Sequence, residues 1–151
     1  MNELEPINQK KLFGLKKYLL ELIRLYELNI YPNKLLISGL KGTGKSTLAY
    51  HFINYVLTKN EKYKYDLDKF EIQYENSTFK TILNKSNINL VTIDVLKDKK
   101  SIDVNQIRDL IKSLNKSSFN NKPRFILIDN IEYLNINSVN ALLKILEEPN
   151  K

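Results

Sequence analysis

The stretch Gly39-Leu40-Lys41-Gly42-Thr43-Gly44-Lys45-Ser46 limits what this chain can be more than any other feature. It fits the pattern G-x-x-x-x-G-K-[ST], in which glycines let the backbone curl until successive N–H groups point inward at phosphate oxygens. The sequence has four glycines, and three of them (Gly39, Gly42 and Gly44) fall here, which argues against an incidental turn. Leu35-Leu36-Ile37-Ser38 ahead of the loop reads as a short buried strand, and an amphipathic helix is expected from Lys45 to about Thr58. A helix beginning there turns its positive dipole end toward the bound group. Lys45 then reaches the β- and γ-phosphates and Ser46 offers its hydroxyl to Mg²⁺. The expected binding set is Gly39, Gly42, Thr43, Gly44, Lys45, Ser46 and Thr47, with ATP and Mg²⁺ as ligands.

A second half of such a site is expected at Asp129, which closes the apolar run Phe125-Ile126-Leu127-Ile128 as an acid on the Mg²⁺ side. Ser46 and Asp129 are thus the two residues expected to act on the metal through the nucleotide. The next residue, Asn130, is an amide and cannot take a proton from an attacking water. Help of that kind is worth a factor of about 10² to 10⁴ in rate. Binding with poor hydrolysis is the expectation, with no catalytic residue assigned. Glu132 is the one candidate substitute, since it shares a face with Asn130 if the strand continues.

With 151 residues and 42% hydrophobic content, the chain is expected to form one soluble domain over 1–151. No apolar run approaches the roughly 18 residues that span a bilayer, the start Met1-Asn2-Glu3-Leu4-Glu5-Pro6 is not a secretory signal, and there is no cysteine. A cytoplasmic location fits these features. The formal charge of +7 suggests an anionic partner, but the basic residues are 21 Lys and 3 Arg and are scattered along the chain. Lysine, asparagine and isoleucine together reflect codons rich in A and T, so charge alone does not argue for direct DNA contact.

Elsewhere, Leu15, Leu19, Leu22, Ile23 and Tyr26 form one side of a helix over 14–29, and Leu90–Val95 is a second strand. Asp103 followed by Gln106 has capping-box spacing and opens a helix with Val104, Ile107, Ile111 and Leu114 toward the core. Val139, Leu142, Leu143 and Leu146 mark a last helix. Residues 60–88 are polar and read as a loop-rich insert whose Tyr63, Tyr65 and Tyr74 sit on a partly packed surface. His51, the single histidine, reads as a packing or surface residue rather than a catalyst. Alternating strands and helices give an α/β fold with a parallel sheet flanked by helices.

The motifs LFG (12–14), SGLKGTGKST (38–47), SIDVNQIRDL (101–110), RFILIDNIEYLN (124–135) and NSVNALLKILEEPN (137–150) occur in that order. Together they resemble the N-terminal AAA+ domain of the bacterial DNA polymerase III clamp-loader family, its delta-prime type in particular. The resemblance covers about residues 10–150. It implies a P-loop NTPase fold and a subunit of a complex with gamma/tau and delta subunits, which places a sliding clamp on primed DNA. In that family the delta-prime type is a relatively rigid member and often a poor ATPase, and Asn130 agrees with this. Three departures stand out. Leu40 replaces a common proline, and residues 60–88 lack the cysteine quartet that holds zinc in many members. The sensor strand, Ser-Arg-Cys motif, lid and collar would follow Lys151, so the domain is expected to be incomplete at its C-terminus, with an exposed central gap, and unstable when expressed alone.

Three rival readings remain. An active gamma/tau-like motor ATPase differs from the leading one in hydrolysis. A small-molecule kinase usually gathers several arginines, and Arg24, Arg108 and Arg124 are not clustered. A plain nucleic-acid-binding module would show salt-dependent DNA binding insensitive to Lys45.

Overall fold

A computed structural model of the chain describes residues 4–114 and 120–147. These residues gather into two compact units, 1–87 and 88–151.

The first unit is built on helices. Pro6–Asn8 forms a short 3-10 turn, followed by α1 (Lys16–Glu27), α2 (Lys45–Thr58) and α3 (Ser77–Leu83). Leu19, Leu22 and Ile23 of α1 are buried, as the periodicity predicts. α2 begins and ends where expected, but it is buried on most of its surface rather than amphipathic. The reason is that α1 and α3 both pack on it. Tyr31 stacks on Phe52 of α2 with ring centroids 4.9 Å apart.

The 60–88 segment is more ordered than its polarity suggests. Asp66 and Glu71 exchange backbone hydrogen bonds, Leu12 donates to Phe70 O and Ile72 donates to Lys10 O. This seats Leu12, Tyr65 and Ile72 in the core, while Tyr74 stays exposed. Asn76 opens α3: its side chain accepts from Phe79 N at 2.6 Å and donates to Tyr63 O at 2.6 Å. Phe79 and Ile82 are buried one turn apart.

Leu35–Ser38 does not form the buried strand expected from its composition. Leu36 is 73% exposed, and the sheet of the described residues contains no strand there. A four-residue apolar run becomes a strand only when neighbouring backbone takes its N–H and C=O groups, and none does so here.

The second unit contains the parallel sheet. β1 (Leu90–Ile93) pairs with β2 (Phe125–Ile128) in the register Leu90↔Phe125 to Ile93↔Ile128. The fold of the described residues is therefore α/β with a small two-stranded parallel sheet, flanked in the chain by α4 (Val104–Leu114) and α5 (Ile136–Glu147). Ile93, Ile102, Ile107, Leu110 and Leu142 form its core. Leu110 was not anticipated, whereas Ile111 and Leu114 lie partly buried beside it. β2 is less buried than expected of a central strand, and Ile126 is 41% exposed, because β2 has a neighbour on one edge only.

The capping box at α4 forms as its spacing predicts. Asp103 Oδ1 accepts from Asn105 N and Gln106 N, and Gln106 Oε1 accepts from Asp103 N at 3.1 Å. Ahead of α5, Ile102 and Leu134 form a parallel bridge, and buried Ser138 donates to Ile102 O. Residues 148–150 of the last motif lie outside the described residues.

Candidate functional site

Residues 39–47 lie together in the first unit as one exposed loop running into α2. Gly39, Gly42 and Gly44 adopt φ of 150°, 80° and 83°, a region that costs residues with a Cβ about 1–2 kcal/mol. At Gly44 space is limiting as well, because an added Cβ would meet Leu15 Cδ1 at 3.2 Å. The loop's end therefore rests on the start of α1, directly after the Leu12-Phe13-Gly14 motif. Thr43 Oγ1 donates to Leu40 O at 2.8 Å and holds the turn closed. Lys45 folds back over the loop, with Nζ 3.0 Å from Gly39 O and 2.8 Å from Leu40 O. Its ammonium is thereby held at the loop rather than extended into solvent. Ser46 and Thr47 occupy the first turn of the 14-residue α2 and are half-buried. A positive side chain, three flexible glycine positions and a helix N-terminus form a set that suits an anionic oxygen group.

Asp129 belongs to the second unit, just past β2. Its backbone N–H donates to Ile93 O at 2.8 Å, and its Oδ1 accepts from Asn130 N at 2.9 Å. Asn130 takes a left-handed conformation, φ 53°, ψ 45°. Asparagine tolerates this region better than most residues. Its Nδ2 donates to Oδ1 of Asp94 at 2.8 Å. Asp94 is the acid that follows β1, and it also accepts from Val95 N and, through its carbonyl, from Gln106 Nε2.

Sequence reasoning placed Asp94 inside a strand and gave it no role. The available signal was the repeated ending of the two parallel strands, Ile93-Asp94 and Ile128-Asp129, which the register sets side by side. Glu132 is placed differently from its expectation. The strand stops at Ile128, and Ile131–Tyr133 forms a 3-10 turn, so the alternation that would put Glu132 on Asn130's face does not hold. Among the described residues no group of three or more His, Cys, Asp and Glu side chains is placed to hold a metal ion, and no helix is long and apolar enough to cross a membrane.

His51 is a core residue, as its surroundings in α2 suggested. Its Nδ1 lies 2.8 Å from the Tyr65 hydroxyl and its Nε2 3.1 Å from Gln9 O. Burial pushes the imidazole down to about 4, partly opposed by the Gln9 carbonyl. The same burial pushes the Tyr65 phenol up.

A family model described as "DNA polymerase III, delta subunit" matches residues 14–151. A protein named DNA polymerase III subunit gamma/tau, from Mycoplasma genitalium, is 28% identical over 143 residues. That alignment takes in 95% of this chain and 22% of the relative, so the chain spans about a fifth of the relative's length. The match runs through both units and through the motifs at 101–110 and 124–135, and on that basis the chain belongs to the DNA polymerase III, delta subunit family.

Proposed function

We propose that this chain is the nucleotide-holding AAA+ P-loop region of a clamp-loader subunit of the delta-prime type. It works in DNA replication in the cytoplasm beside gamma/tau and delta subunits, and acts on the sliding clamp and primed DNA through that complex. Residues Gly39, Gly42, Thr43, Gly44, Lys45, Ser46 and Thr47 would hold the phosphates of ATP. Ser46 and Asp129 would serve Mg²⁺, which when bound neutralises charge between phosphate oxygens. Lys45 exchanges its two loop carbonyls for phosphate oxygens, and the freed N–H groups of the loop and of α2 do the rest of the holding.

The observation that carries the reading of weak hydrolysis is Asn130. It follows the strand-end acid Asp129, it has no proton-accepting side chain, and its amide is engaged by Asp94. A subunit built this way keeps the ligand as a structural part and leaves hydrolysis to its neighbours. The test is steady-state phosphate release by the full-length protein, alone and with gamma/tau and delta subunits. Turnover that appears only with those partners, and is unchanged by Glu132→Gln, supports the reading. Substantial turnover by the protein alone, abolished by Glu132→Gln, overturns it.

A second reading, an active gamma/tau-like motor, draws on the name of the Mycoplasma relative. It requires a base that the 128–133 segment supplies only at Glu132.

A further inference from the structure

The contact between Asn130 and Asp94 joins the ends of two parallel strands, and it has a chemical consequence. Asn130 Nδ2 is a donor placed 2.8 Å from a carboxylate oxygen. Asp94 in turn follows Ile93, the register partner of Ile128, so Asp94 and Asp129 stand at corresponding positions beside the same backbone. An acid at 130 would meet Asp94 across a hydrogen-bond distance. Two carboxylates that close cannot both stay ionised; one holds a proton or swings away, and in either case it is lost as a base. The left-handed backbone at 130 adds a second preference, since asparagine accepts φ 53° at lower cost than glutamate.

We propose that Asp94 is a positioning residue that dictates a neutral amide at 130, so that residues 94 and 130 together set whether an acid can stand ready beside Asp129. The inference rests on the nucleotide-holding reading for its hydrolytic part only. Asn130 is then more than a missing glutamate. It is the residue that the Asp94 carboxylate and the turn both require, and restoring an acid there without changing Asp94 restores little.

The test uses the full-length protein as wild type, Asn130→Glu, Asp94→Asn and the pair Asp94→Asn with Asn130→Glu. Asn130→Asp, which tolerates the left-handed turn, stands in if the glutamate variant fails to fold. Three quantities are measured for each: the melting midpoint, retention of labelled ATP, and phosphate release. The expected result is that Asn130→Glu lowers the midpoint by about 2–4 °C and raises release less than tenfold. Adding Asp94→Asn recovers the midpoint and raises release about tenfold or more beyond the product of the single effects. Additive midpoints, or equal release in the single and paired variants while ATP is retained, overturn the proposal. Absence of ATP retention in wild type overturns the hydrolytic role together with the proposed function, and a non-additive midpoint then leaves the pair as a strand-end tie alone.

Discussion

The hydroxyl of Tyr65 and Nδ1 of His51 lie 2.8 Å apart inside the first unit, and this pair fixes the protonation of the histidine. Gln9 O, 3.1 Å from Nε2, can only accept, so Nε2 carries the ring proton and Nδ1 accepts from the Tyr65 O–H. His51 is fully buried and neutral in the fold, and it ties α2 to the N-terminal segment and to the 60–75 region.

Stability therefore falls in acid. The folded imidazole titrates near 4, below its ordinary 6.5. The unfolded chain takes up the proton first, so the stabilisation is present above about pH 6.5 and is lost as pH falls toward 4. The loss sums to about 3 kcal/mol. Urea unfolding midpoints measured from pH 7 to 4 should fall over this window, and His51→Gln should remove that part of the slope.

Asn76→Ala should cost about 2 kcal/mol. About 1 kcal/mol comes from the lost cap on α3, and about 1 kcal/mol comes from leaving Tyr63 O without its donor in a part-buried setting. Asn76→Asp, which keeps the cap and removes the donor, should lie between. Equilibrium unfolding of the three proteins checks the order.

In the second unit, Ile107→Ala should destabilise by about 2–5 kcal/mol, because Ile107 is fully buried among Ile93, Ile102 and Leu142. Ile126→Ala should cost far less, since its side chain is partly in solvent. Denaturant unfolding followed by far-UV circular dichroism separates the two.

Gly44→Ala should weaken nucleotide retention while the helices stay folded. The methyl must fit a left-handed φ and a 3.2 Å approach to Leu15, so the loop is expected to shift just where α2 begins. Filter retention of labelled ATP beside a circular dichroism spectrum provides the check.

Much of this structure was legible where a local rule acts alone. The limits of α2 followed from the glycine loop before it, and the α4 cap followed from Asp103 and Gln106 three residues apart. Leu35–Ser38 misled because strand formation depends on a partner, and composition says nothing about whether one is present. α3 was hidden because seven residues give too little periodicity to read, although Asn76 ahead of Phe79 and Ile82 carries a cap and one apolar turn. The glycine loop and Asp129 were both visible as motifs. Asp94 was not, because its role arises from parallel pairing across 36 residues of sequence.

Retention of labelled ATP by the full-length protein in the presence of Mg²⁺, read beside its unaided phosphate release, bears most directly on the claim that the loop around Lys45 holds a nucleotide it does not readily split. The expected result is stable retention that drops about tenfold or more in Lys45→Ala, with release near background. No retention by the wild-type protein, or brisk release without any partner, would contradict it.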